Sequence, residues 1–205
     1  MRKEALIKSV KETFHISSGY PFRKKIKPVI NTGSYVIQMK NVCEDKGVLW
    51  DGVVESEVSK DTKSKHELSN KDILFIARGT RNIAVTLNIP ENINRLYAAP
   101  QFYVLRLKNE SVLPEFATWY FNSSNGQSYW SIKCEGSVTK SIRRNVLEEF
   151  EMVIPDLTKQ RKIVELNNLV INERLTAHSL IDAGRQMMKG ISQQLIKSET
   201  LSNDR

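Results

Sequence analysis

The sequence predicts an α+β fold: a mixed-sheet head with short helices, followed by one long C-terminal helix. Three observations carry this. Short runs of β-branched and aromatic residues recur through the first three quarters of the chain without long helical patterns between them. Beyond Pro155 no further proline occurs, and only two glycines, Gly184 and Gly190. Over that stretch Ile163, Leu166, Val170, Ala177, Leu180, Met187, Ile191 and Leu195 mostly follow three-and-four spacing, the mark of an amphipathic helix. The division expected is a head over 1–157, a helix over 158–199 and a disordered tail over 200–205.

The elements follow in order. Residues 3–16 mix apolar and charged positions and fit a short helix or an edge strand. Ser17-Ser18-Gly19-Tyr20-Pro21-Phe22 has the composition of a turn. Ser34–Met39 reads as a buried strand, and Val48-Leu49-Trp50 as a short partner. Residues 55–71 are polar and lysine-rich, as in an exposed excursion. Asp72–Ala77 is the clearest strand, Ile83–Ile89 its return, and Phe102–Leu107 another strong strand. Pro114 opens a helix that places Phe116, Trp119 and Tyr120 on one face. A second short helix holds Tyr129, Trp130 and Ile132. Gly136–Lys140 is a loop, Asn145–Phe150 a turn of helix, and Glu151–Ile154 the last strand. At about 1.5 Å per residue the tail stripe runs for roughly 50–60 Å. A head of about 155 residues has a radius of gyration near ~15 Å. The expectation is that part of the helix projects and that its stripe needs a partner helix. Glu173 and Gly184 interrupt the stripe, so it is not an ideal zipper.

The 205 residues carry 31 Lys and Arg against 23 Asp and Glu, a formal net charge of +8. Such a balance favours a polyanionic partner, nucleic acid before an anionic membrane. No apolar run approaches the roughly 20 residues of a membrane span, and the N-terminus lacks a signal-peptide core. Cys43 and Cys134 have neither metal-type spacing nor a disulfide framework, which places the chain in a reducing cytoplasm. Phosphate-loop, dinucleotide, zincin and nucleophile-elbow motifs do not occur. His15, His66 and His178 lie far apart. Asp51, Glu55, Glu57 and Lys60 superficially resemble a metal-dependent nuclease set. That segment reads as loop, so they do not share a strand face.

The ordered motifs resemble those of a type I restriction–modification specificity subunit. Ser18-Gly19-Tyr20-Pro21-Phe22 is similar to the aromatic-containing glycine turn that opens the family's target-recognition domains. Tyr35-Val36-Ile37-Gln38-Met39-Lys40-Asn41 resembles the strand that follows. Asn70-Lys71-Asp72-Ile73-Leu74-Phe75-Ile76-Ala77-Arg78-Gly79 resembles its strand ending in Arg-Gly. Gly136–Ile142 looks like its glycine loop, and Val153-Ile154-Pro155-Asp156-Leu157-Thr158-Lys159-Gln160-Arg161-Lys162-Ile163 its head–helix junction. The ending Met188-Lys189-Gly190-Ile191-Ser192-Gln193-Gln194-Leu195 is similar too. Full subunits carry two recognition domains and two long helices, whereas this sequence has one of each.

The resemblance implies a non-catalytic half-subunit that reads double-stranded DNA and holds no cofactor. It pairs with itself, or with another half-subunit, through the tail residues Ile163, Leu166, Val170, Ala177, Leu180, Met187, Ile191 and Leu195. Its implied partners are a methyltransferase subunit that uses S-adenosylmethionine and a motor–nuclease subunit that uses ATP. Arg23, Lys24, Lys25 and Lys27 form the best phosphate patch or, on the plainer reading, an ordinary solvated loop. Arg78 and Arg81 bracket a strand end, where an arginine reaches a guanine edge or bonds loop carbonyls. Lys140, Arg143 and Arg144 follow the glycine loop, and Lys40 completes the DNA-contacting set. Ser137 and Thr139 suit a phosphate or a helix cap. Trp119, Tyr120 and Trp130 fit the core better than a base-stacking platform. The alternative reading is a stand-alone nucleic-acid-processing enzyme, a small nuclease or modifying domain.

Overall fold

The computed structural model describes residues 6–58, 64–136 and 140–202. The chain opens with β1 (Leu6–Ser9), a single turn of helix α1 (Val10–Thr13) and β2 (Phe14–Ser18). A long loop leads to β3 (Tyr35–Ile37), β4 (Val42–Cys43), β5 (Gly47–Val48) and β6 (Val54–Glu55). Then come β7 (Ile73–Ile76), β8 (Arg78–Gly79), β9 (Ala84–Thr86), β10 (Leu96–Ala98) and β11 (Phe102–Leu107). Helices α2 (Pro114–Asn122) and α3 (Ser124–Lys133) follow, then β12 (Lys140–Ser141), α4 (Arg144–Glu148), β13 (Glu151–Ile154) and α5 (Leu157–Ser202).

The centre is an antiparallel sheet in the order β2-β11-β7-β9. Alternate side chains of a strand point to opposite faces, and here both faces are covered. On one, Ile73, Phe75 and Leu105 join Phe116, Ala117, Phe121 and Trp130 of α2 and α3. On the other, Leu74, Ile76, Phe102 and Val104 join Ile37, Leu96 and Ala98 of the second sheet. Burial on both sides is why β7 reads as an unbroken apolar run rather than an alternating one. The second sheet, β10-β3-β6, pairs β10 parallel and β6 antiparallel to β3.

Several sequence features have local causes here. Gly19 lies so close to the backbone at the end of β10 that a Cβ would meet the Ala99 carbonyl oxygen at 2.1 Å, so no other residue fits. Gly126, at the α2–α3 corner, faces the Phe121 carbonyl oxygen at 2.4 Å in the same way. Asn122 uses its side-chain amide like a strand: it accepts from Ala84 N at 2.8 Å and donates to Ala84 O at 2.9 Å. That occupies the open edge of β9, which otherwise invites pairing with another chain. Trp130 is 1% exposed and donates its indole N–H to Phe121 O. Trp119 and Tyr120 are half-buried against the same core, so the aromatic set serves packing.

Where the expected elements differ, the cause is tertiary. Residues 55–71 are not simply an exposed excursion: Glu55 belongs to β6, and Ser56, Val58 and Leu68 are buried. Residues 59–63 of that segment lie outside the described residues. Ser17 and Ser18 extend β2 rather than beginning a turn, because β11 offers them a full ladder. Trp50 begins a 3-10 turn instead of ending a strand, leaving the two-residue β5 to pair with β4.

Helix α5 starts at Leu157 behind Asp156, whose carboxylate accepts from Lys159 N at 3.0 Å. That bond holds the Asp156 carboxyl below its usual range. Gln160, in the first turn, is fully buried. Its Oε1 accepts from Leu113 N at 2.8 Å, and its Nε2 donates to Ser111 O at 3.0 Å and Pro155 O at 2.8 Å. One side chain thus satisfies three backbone groups at the junction of β13, α5 and the loop entering α2. Ile163 and Val164 continue this attachment against the α2–α3 core. Gln160→Ala removes all three partners, and each abandoned buried group costs about 1–3 kcal/mol. The expected loss is about 3 kcal/mol, a fall in melting temperature of roughly 6–12 °C. A thermal melt showing a drop of under about 1 kcal/mol contradicts it.

The first compact unit ends at Val164, and residues 165–205 form the second. Helix α5 runs through both; its 46 residues span about 69 Å at 1.5 Å each. Among the described residues, no helix is long and apolar enough to cross a membrane.

Candidate nucleic-acid interface

Two basic regions of the head present the cations expected to meet DNA. The first is built around Gly79. Strand β8 pairs with β12 in the register Lys140↔Gly79 and Ser141↔Arg78, and Ile142 N donates to Ala77 O at 2.8 Å. A Cβ on Gly79 would lie 3.2 Å from the Met39 sulfur and 3.7 Å from the Arg81 carbonyl oxygen. Backbone pairing therefore gathers Arg78, Arg81, Lys140 and Arg143 from segments about sixty residues apart, with Lys40 adjoining Met39 in a 3-10 turn. Arg78, Arg81, Lys40, Arg143 and Arg144 are all exposed. Arg143 pairs with Glu135 at 2.8 Å, and Arg144 with Glu148 at 2.8 Å one helical turn on. Exposed pairs of this kind are worth about 0–1 kcal/mol, so a phosphate can displace either carboxylate. Ser137 and Thr139 lie outside the described residues, and of Lys140 only the backbone is described.

The second region is the loop between β2 and β3. Arg23, Lys24, Lys25 and Lys27 are exposed along it. The apolar residues beside them turn inward: Phe22, just before the first cation, packs edge-on to Tyr20 with centroids 4.6 Å apart, and Ile26, between Lys25 and Lys27, packs on the core between the sheets. These two anchors tie the strap to the head, while its four charged residues stay exposed.

Glu55 fastens the far end of that strap. Its carboxylate accepts from Thr32 N at 2.8 Å, Gly33 N at 3.1 Å and the Thr32 hydroxyl at 3.4 Å, while its own carbonyl accepts from Val29 N. The Tyr35 hydroxyl, directly across the β3–β6 ladder, donates to it as well. The Gly33 N–H above all, with Tyr35 and Thr32, holds the Glu55 carboxyl below its usual value of 4.5. Glu55 is thus a bracing residue and not one of a convergent acidic set. Among the described residues, no group of three His, Cys, Asp or Glu is placed to hold a metal. Sequence reasoning missed this brace because it depends on the strand register that sets Glu55 opposite Tyr35, far from it in sequence.

A depressed carboxyl pKa in the folded state makes stability depend on pH in one direction. The contribution of Glu55 is complete above the unfolded value of 4.5 and disappears as pH falls through the lower folded value. Urea midpoints compared between about pH 3 and 7 check this. Wild type is expected to exceed Glu55→Gln by a constant margin above pH 4.5 and to converge on it in acid. A margin that does not narrow in acid contradicts it.

In the tail, Leu166, Val170, Leu180, Met187, Ile191 and Leu195 are each 45–69% exposed, and Ala177 is exposed as well. Ile163, expected to begin this stripe, is instead half-buried on the head core. The first two turns of α5 complete the head, and the exposed stripe starts at Leu166.

Solved structures of similar fold exist. A type I restriction–modification system S subunit from M. genitalium matches at TM-score 0.57 and 16% identity, over 89% of this chain and 43% of that one. The HsdS subunit from Thermoanaerobacter tengcongensis matches at TM-score 0.57 and 15% identity, over 85% and 44%. A structure described for complex assembly and conformational transition of the type I R-M system matches at TM-score 0.57 and 14% identity, over 86% and 40%. At these identities the likeness shows the shared fold, and the chain spans less than half the length of each structure. No curated protein shows significant similarity to the sequence. Residues 4–178 match the family described as type I restriction modification DNA specificity domain, which covers the head and the first half of α5. The chain belongs to the type I restriction modification DNA specificity domain family.

Proposed function

We propose that this chain is a DNA-reading specificity subunit of a type I restriction–modification system, without catalytic activity of its own. The observation that carries the reading is the family match over residues 4–178. The net charge of +8 and the two exposed basic regions support it. The strap cations Arg23, Lys24, Lys25 and Lys27 bind phosphates, which supplies affinity. The Gly79 ladder, with Lys40, Arg78, Arg81, Lys140, Arg143 and Arg144, supplies the second contact, and base edges reached from it supply sequence preference.

Two copies pair antiparallel through the stripe from Leu166 to Leu195, so that two identical heads meet two identical half-sites. The target is an interrupted palindrome, and the helix pair acts as its ruler. The methylating subunit, and where present the motor–nuclease subunit, dock on this frame in the cytoplasm and perform the chemistry.

Selection of bound sites from random duplex by the full chain tests the reading. The expected product is two copies of one short sequence in inverted orientation, separated by a fixed spacer. Recovery without sequence preference contradicts the function, and recovery of a single undivided site contradicts the paired ruler.

A further inference from the structure

The strap carries one apolar side chain facing the wrong way. Phe22, Ile26 and Val29 are partly buried, whereas Ile30 is 84% exposed, the highest value for a large apolar side chain among the described residues. It stands at a turn beside Asn31, also exposed, whose φ of 66° is a conformation that residues other than glycine seldom adopt. Gly33 follows at φ 62°. A single exposed apolar residue is ordinary on a protein surface. Here, however, the turn is held from below. Glu55 takes the N–H groups of Thr32 and Gly33, its carbonyl takes Val29 N, and Ser56 N donates to Ser34 O at 2.9 Å. The brace fixes a left-handed asparagine and an outward isoleucine side by side, three residues beyond Lys27.

We propose that the Ile30–Asn31 tip reads an A·T base pair in the major groove, as a specificity-determining contact of the DNA-reading function proposed above, on which it rests. The chemistry of the two side chains matches that pair. A thymine presents a C5-methyl group, which an aliphatic side chain covers. An adenine presents an N7 acceptor and an N6 donor, which a carboxamide meets with one donor and one acceptor. The strap cations just before the tip, Lys27 the nearest in sequence, hold the adjoining phosphates. Rigidity matters because a loop ordered only on binding loses part of the contact energy to its own ordering. Sequence reasoning passed over both residues: neither is charged, and the turn is visible only once Glu55 is paired with Tyr35.

Two variants of the full chain test this without disturbing the brace. Asn31→Gly removes the carboxamide and keeps a backbone that glycine adopts freely. Ile30→Ala removes an exposed side chain. Both are expected to keep the urea midpoint and the salt dependence of wild type. In selection from random duplex, Asn31→Gly is expected to lose preference at one A·T position, by about tenfold, with the other positions retained. On the wild-type site, exchanging that thymine for deoxyuridine removes only the methyl group. It is expected to weaken wild type several-fold and leave Ile30→Ala unchanged. The proposal is overturned if both variants select the wild-type motif unaltered, if the relaxed position is a G·C pair, or if the methyl group affects both proteins equally. If wild type itself shows no sequence preference, the DNA-reading function has failed and this contact fails with it. A preserved motif in the variants removes the tip alone.

Discussion

Replacing Arg23, Lys24, Lys25 and Lys27 together by alanine is expected to lower duplex affinity by about 10³–10⁴-fold near 0.1 M salt. Each cation that neutralises a phosphate releases counterion, which contributes a slope of about −0.9 to log K against log salt. Four such contacts make the slope shallower by about 3.6, and the two affinity lines converge near 1 M salt. The strap suits this test because its charged and structural residues are separate. The four cations are exposed, while Phe22 and Ile26 hold the backbone to the core. The variant should therefore melt like wild type, and a lost affinity cannot be ascribed to unfolding. Filter binding or anisotropy across a salt series measures it. A slope unchanged from wild type removes the strap from the interface and leaves the Gly79 ladder to carry the phosphates. Alanine at Arg143 and Arg144 is expected to do less, because each is already paired in the unbound chain, with Glu135 or Glu148, and a phosphate has to displace that carboxylate.

What the sequence made legible follows from which forces act locally. β11 and β13 match the expected runs at Phe102–Leu107 and Glu151–Ile154, and α2 begins at Pro114. Each is long or apolar enough to declare its period, or begins at a residue with a fixed φ. The three-residue β10 was not anticipated. It is a strand because β3 lies parallel beside it, and nothing in Leu96-Tyr97-Ala98 requires that. The same limit governs the site. The cations of the strap are visible as charge, and Arg78-Gly79 as a motif. Their separate settings, one strap braced by Glu55 and one ladder closed by Lys140 and Ser141, come from pairings between distant segments. Gln160 shows the intermediate case. The junction motif containing it was evident, but its work, satisfying Ser111, Leu113 and Pro155 with one amide, depends on a loop some fifty residues earlier. Ile163 erred in the opposite direction: its spacing fits the stripe, but the head has the nearer apolar surface.

Leu180→Pro is expected to abolish the proposed pairing and leave monomers that retain a folded head. Proline removes one backbone donor and its ring clashes with the carbonyl four residues before, at a cost of about 3 kcal/mol or more per chain. Leu180 lies near the middle of α5, 69% exposed, in the unit that begins at Glu165. The core that determines the main thermal transition is built from residues up to Val164, so that transition should barely move. Assembly should respond sharply, because an antiparallel pair centred on this stretch suffers the break in both helices. Sedimentation of the full chain reads the mass. Selection of bound duplex reads the consequence, a single half-site in place of two at a fixed spacing. Leu180→Ala separates the causes: it keeps the helix and removes one apolar contact from each copy, so it should weaken pairing without abolishing it. Should the intact chain already sediment as a monomer, pairing with itself is wrong, and the stripe from Leu166 to Leu195 belongs to a different partner. Should Leu180→Pro remain a dimer, the copies meet through the heads, and the spacer length is then independent of the helix.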